Sequence, residues 1–148
     1  MSELVPPLPS HAHLPGQNVR HGEDFLDHIK AQAPPQTRDA NAGDNQAWLY
    51  GLRLIECGYF WEAHEILETV WMRTAPNSRE FHLVQGVIHL ANGALKVKMN
   101  RPNAALRLKQ LAMSSITEAY LGRQNDDLMG LKKSDLVEKL NTHVTSIE

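Results

Sequence analysis

The stretch GYFWEAHEILETVW, Gly58 to Trp71, contains the side chains best suited to chemistry. On a helix, residues four apart lie one turn apart on the same side, which makes His64 and Glu68 neighbours. A carboxylate beside an imidazole can accept a hydrogen bond from one ring nitrogen. The other nitrogen is then left for a metal, a substrate or a proton transfer. The same pair could instead give two ligands to one divalent ion. Two ligands do not complete a site, because a catalytic zinc takes three protein ligands plus water and a structural zinc takes four. His89 is the candidate third ligand, and His82 lies two turns before it on roughly the same side. Gln85 and Asn92 fall in that polar sector, with Lys96 nearby. Packing at the usual helix separation could bring the sector to His64 and Glu68, but spacing does not select the rotation.

The run HEILE begins like the HExxH motif of zinc proteases, yet position 68 is Glu rather than the second His. The motif therefore does not make Glu65 a general base. Glu65 falls farther toward solvent on the wheel, and Glu62 falls nearly opposite Trp71. The sequence shows no cysteine metal cluster, phosphate loop, nucleophile elbow or dinucleotide fingerprint. Each candidate also has a plain structural role. His64 with Glu68 is an i,i+4 helix pair, His82 and His89 are polar edge residues, and Trp61 and Trp71 pack or wall a pocket.

These positions are carried by helices. Trp48, Leu49, Leu52 and Ile55 repeat at helical spacing from about Gln46, and Gly58 supplies a turn. A second helix runs from about Tyr59 to Met72, with Phe60, Ala63, Leu67 and Val70 inward. TAPNS breaks the chain, and Ser78 is an N-cap for a third helix over about Arg79 to Met99. That helix has a main stripe of Phe81, Val84, Ile88, Ala91 and Leu95, widened by Val87, Leu90 and Ala94. Pro102 starts a fourth helix carrying Leu108, Leu111, Ala112, Ile116 and Ala119. A shorter last helix contains Leu136, Val137 and Leu140. No run alternates with period two, so little or no sheet is expected. The expected fold is all-α: a compact antiparallel bundle of about five helices with an irregular N-terminal arm. Residues 1–45 form that arm, with prolines at 6, 7, 9, 15, 34 and 35 and a short helix within RHGEDFLDHIKAQ. Residues 46–148 form the helical domain.

A chain of 148 residues suffices for one domain with a real core. The net charge of -2 points away from a dedicated nucleic-acid binder. Arg79 to Lys109 holds a local basic excess, read as a solvated face or a weaker anionic partner surface. The single cysteine, Cys57, cannot form an internal disulfide and reads as structural and partly buried. No secretory leader pattern opens the chain, and FHLVQGVIHLANGAL is too short and polar to span a bilayer. A soluble, cytoplasmic protein without membrane attachment is the default expectation.

The segments WLYGLRLIECGYFWEAHEILETVWM and SREFHLVQGVIHLANGALKVKMNRPNAALRL resemble the DUF309 family, a helical domain of unassigned function. The family pattern His-x3-Glu-x2-Trp/Tyr falls on His64, Glu68 and Trp71. The resemblance implies a metal-ligand pair with Trp71 packed beside it. Gly58, Phe60, Glu62 and Ala63 follow the family, as do Arg79, Phe81, Gln85 and Gly86. Gly86, lacking a side chain, can admit a close helix neighbour. His89 stands where the family often has glutamine, and MNRPNAA is less glycine-rich than usual. The concrete functional expectation is a metal-dependent hydrolase using one divalent ion of unspecified identity. The alternative is a non-enzymatic helical interaction module, with an exposed groove near Trp61 and Trp71. Its partner would be a small molecule or a protein. A homodimer is expected if one amphipathic face stays uncovered.

Overall fold

The computed structural model describes residues 7–18, 21, 26–123 and 125–145. Short helix α1, Asp27–Lys30, and a 3-10 helix, Asp39–Asp44, precede the bundle. Helices α2 (Gln46–Glu56), α3 (Phe60–Met72), α4 (Arg79–Lys98) and α5 (Pro102–Tyr120) follow through short turns. A hairpin of β1 (Asp127–Leu128) and β2 (Leu131–Lys132) then leads into α6, Lys133–His143. The result is a compact, mostly helical fold in which α2 packs on α3, α3 on α4 and α4 most extensively on α5.

The helix ends follow local chemistry. Asn45 Oδ1 accepts the Trp48 N–H at 3.0 Å, and Ser78 Oγ accepts the Phe81 N–H at 3.0 Å. After α2, Gly58 takes φ +85°. Tyr59 N–H then reaches Leu54 O at 2.8 Å and Gly58 N–H reaches Ile55 O at 3.1 Å, the paired bonds of a Schellman cap. After α4, Asn100 (φ 62°) fills the glycine role, with bonds from Arg101 N to Lys96 O and from Asn100 N to Val97 O. Pro102 opens α5, and Arg79 Nη1 donates to Ala119 O and Leu121 O at its far end.

The helices turn differently from the simplest reading of their stripes. In α2 the buried side is Ala47, Trp48, Gly51, Leu54 and Ile55, while Leu49 is exposed and Leu52 only partly covered. In α4 the buried set centres on Leu83, Val87, Leu90 and Ala94 together with Val84, Ala91 and Leu95; Phe81 and Ile88 sit at its margin. An apolar stripe wider than one face leaves rotation to the packing partners. On α5 the small residues Ala105, Ala112 and Ala119 go inward with Ile116, and Leu111 is left exposed. Cys57 corrects the sequence expectation: at the C-cap of α2 it is exposed, because the Gly58 turn carries it clear of the core.

Glycine decides how closely α4 approaches its neighbours. A Cβ on Gly86 would lie 3.0 Å from Ile116 Cγ1 and 3.4 Å from Ala112 O and Ile116 N. A Cβ on Gly93 would lie 3.1 Å from Val144 Cγ2. Backbone atoms cannot swing aside as a side-chain tip can, so Gly86→Val forces α4 from α5. Urea unfolding should show a loss of about 1–3 kcal/mol, the usual range for overpacking.

The N-terminal segment is part of the core. Leu26, Ile29, Ala33 and Ala42 are buried in one cluster with α2–α6, and Leu8 and Leu14 pack against it. Tyr50 Oη donates to Pro7 O at 2.7 Å, and Arg73 Nη1 donates to Ala33 O at 2.6 Å. Among the described residues, the helix expected within RHGEDFLDHIKAQ is confined to Asp27–Lys30; Arg20 and Gly22–Phe25 lie outside them. The two-residue strands are the only sheet among the described residues.

Candidate functional site

Helix α3 runs unbroken through the motif and fixes its side chains one turn apart. His64 Nε2 lies 3.3 Å from Glu68 Oε1, as the i,i+4 spacing requires. The other ring nitrogen, Nδ1, lies 3.5 Å from Glu65 Oε2. Glu65 Oε1 in turn lies 3.8 Å from Lys30 Nζ of α1. His64 and Glu65 are each about a quarter exposed, and Glu68 is half exposed. Ligand atoms of His64, Glu65 and Glu68 fall within 4.8 Å of one another, and this is the one such group among the described residues. Glu65 therefore stands with the pair rather than apart in solvent. Its side chain turns back along the helix surface toward the imidazole, a choice of rotamer that a wheel cannot supply.

Helix α4 places the other candidates elsewhere. His89 is three residues from Gly86 and four from Gly93, so it shares their side of the helix, the side that meets α5 and Val144. His82, four before Gly86, shares it too. Gln85 Oε1 accepts from Ser115 Oγ of α5 at 3.4 Å. Neither His82 nor His89 belongs to the His64 group. His89 Nδ1 is shielded from solvent and has no hydrogen-bond partner. Burial pushes the His89 imidazole below its usual pKa. Stability linked to a depressed histidine pKa is intact where both states are neutral, above the unfolded value of about 6.5. It is lost as pH falls from there, since the unfolded chain takes up the proton more readily. His143 is shifted the same way, by burial first and then by Lys139 and Lys98. Replacing His89 by Gln should therefore reduce the loss of stability between pH 7 and pH 5, measured by urea unfolding at each pH.

The tryptophans face internal neighbours. Trp71 lies 5.0 Å, centroid to centroid, from Phe81, which meets His82 edge-on at 5.3 Å. Trp61 meets His13 edge-on at 4.8 Å. Both indoles are partly buried and pack against the core. Trp71 Nε1 has no hydrogen-bond partner although it is shielded from solvent.

One polar constellation escaped the sequence analysis. Glu62, on the α3 face opposite Trp71, has no exposed surface. The N-terminal segment covers it: His13 N–H donates to Glu62 Oε2 at 2.8 Å, and His21 Nε2 lies 2.6 Å from the same oxygen. The other oxygen, Oε1, has no partner. The His11 ring lies 4.4 Å from that of His21, and His13 Nδ1 pairs with Asn18 Oδ1 at 3.1 Å. The histidines of HAH and of position 21 were a visible signal, but nothing local joined them to a residue 41 positions away.

Fold and side chains together define a helical-bundle protein with a His–Glu–Glu group on its third helix. Residues 48–108 match the family model described as a domain of unknown function, DUF309. The match takes in nearly all of α2, all of α3 and α4 and the start of α5, including His64, Glu65, Glu68, Trp71 and His89. The histidines that cover Glu62 precede it. Comparison with curated proteins and with solved structures gave no match. Among the described residues, no helix is long and apolar enough to cross a membrane.

Proposed function

We propose that this protein binds a divalent cation through His64 and Glu68, with Glu65 as the third ligand, and that the site serves hydrolytic chemistry. The carrying observation is the His64 group: three ligand-type side chains converge within 4.8 Å on one continuous helix. The donor set fits such an ion. His64 Nδ1 is shielded and lacks a hydrogen-bond partner, and two carboxylates flank the ring. An imidazole with two carboxylates suits the harder divalent transition ions and zinc. A cation bound there supplies Lewis-acid polarisation and a bound water of lowered pKa. The residues of the chain do the rest. Helix α3 fixes the spacing of His64 and Glu68, and the Lys30 ammonium orients Glu65 from the outer side. Glu68, half exposed, borders the open side from which a substrate approaches.

Metal analysis and calorimetric titration of the full chain test the reading. Wild type should take up one equivalent of zinc or manganese, and a His64→Ala/Glu68→Ala variant should take up none. Glu65→Gln should weaken binding by at least about tenfold, the lower range for losing a group that tunes a metal site. His89→Ala should leave affinity unchanged; a loss equal to that of Glu65→Gln would restore His89 as the third ligand. Equal, negligible uptake by wild type and the double variant overturns the site.

A further inference from the structure

At the C-terminal end of α3, three segments wall a cavity of about 400 Å³. Arg38 lines it from just before the 3-10 helix, Arg73 and Thr74 from the end of α3, and Ser78 and Glu80 from the start of α4. The Arg73 guanidinium is held in place, because Nη1 donates to Ala33 O at 2.6 Å and to Pro34 O at 3.3 Å. Among the described residues, neither Arg38 nor Arg73 forms an ion pair with a carboxylate. Glu80 is the one acid in the lining, and its Oε2 accepts the Asp39 N–H at 2.8 Å. The charges next to the lining in sequence are engaged elsewhere. Asp39 Oδ1 accepts the Met129 N–H, and Asp126, Asp127 and Arg123 act with Asp39 on Tyr120 at the hairpin side. Arg79 Nη1 donates to Ala119 O and Leu121 O at the end of α5.

We infer that this cavity binds a small phosphate monoester, with the phosphoryl group between the Arg38 and Arg73 guanidiniums. The planar N–H fork of a guanidinium matches two oxygens of an oxyanion at once. Donors stand on three segments, the third being the first turn of α4. Ser78 Oγ accepts the Phe81 N–H and keeps its own proton to donate, and the helix start carries partial positive charge. A phosphoryl group offers three terminal oxygens to three donors, where a carboxylate offers two. The last carbonyls of α3 do not oppose an anion, because the Thr37 hydroxyl donates to Val70 O and the Thr74 hydroxyl to Trp71 O. The volume falls in the range of small-molecule pockets, about 300–1,000 Å³, and leaves room for an organic group beside the phosphoryl group. This site shares no residue with the His64 group and stands whether or not that group holds a metal.

Calorimetric titration of the full chain, freed of metal, with glycerol 2-phosphate, inorganic phosphate and acetate tests the assignment. Glycerol 2-phosphate should bind at one equivalent with a Kd on the order of 0.1–1 mM, reasonable for a ligand of this size. Inorganic phosphate, lacking the organic group, should bind more weakly, and acetate at least about tenfold more weakly than the ester. Arg38→Ala should weaken the ester about tenfold, the order for one hydrogen bond to a charged group. Glu80→Gln keeps an acceptor for the Asp39 N–H and removes the like charge, so it should tighten the ester about threefold. Arg73 also ties down Ala33 and Pro34, so Arg73→Ala can fail to fold, and the exposed Arg38 carries the test. Amide shifts of Ser78 and Glu80 in wild type should follow the titration. The assignment is overturned by no binding of the ester at several millimolar, or by equal affinity for the ester and for phosphate or acetate. An affinity unchanged in Arg38→Ala, or shifts confined to other residues, overturns it as well.

Discussion

Replacing His21 by alanine will destabilise the protein by about 2–3 kcal/mol, the upper part of the range for stranding a buried hydrogen-bonding group. The reason lies in Glu62. Its side chain has no exposed surface, and the His21 side chain that bonds it is only 5% exposed. With the imidazole gone, the carboxylate keeps the His13 N–H as its hydrogen-bonded partner, and its Oε1 already has none. The chain's escape is to release the N-terminal segment and hydrate Glu62. Faster protease cleavage before residue 26 should therefore accompany the loss measured by urea unfolding. The double variant His21→Ala/Glu62→Leu removes the stranded carboxylate as well and should recover most of the stability. A double variant as unstable as the single one would show that His21 acts through other contacts.

Trp48→Ala will cost about 3–5 kcal/mol, the range for removing a fully buried indole. Trp48 has no exposed surface, and its Nε1 donates to Met129 O at 3.1 Å. Met129 has φ 51°, a left-handed conformation in the hairpin turn, and its N–H donates to Asp39 Oδ1 at 2.6 Å. The indole thus fills the core and holds the hairpin that leads into α6. Trp48→Phe keeps most of the volume and removes the donor, so it should cost less, about 1–3 kcal/mol. Amide exchange at Met129 should accelerate in both variants, and an unchanged rate would refute the tether.

Much of the architecture was legible because it depends on neighbours in the chain. Gly58, Ser78 and Pro102 mark helix ends through bonds or dihedrals that span a few residues. The i,i+4 approach of His64 and Glu68 was legible for the same reason. The rotations of α2 and α4 were less so. Their apolar residues cover more than one face, and the choice between Ile88 and Val87 as the deeper residue belongs to the helices packed against them. Cys57 illustrates the converse: its type suggested burial, and its place beside the turn exposes it.

By itself, then, the sequence determined closely where α3 and α4 begin and end and where α5 begins, and that an imidazole and a carboxylate share one side of α3. Those features rest on short-range spacing and backbone geometry. Only the tertiary structure decided that Glu65 joins His64, that His89 stays outside that group, and that a fully covered Glu62 meets histidines from far upstream. Such outcomes depend on side-chain rotamers and on which surfaces exclude water together, and residues widely separated along the chain settle both.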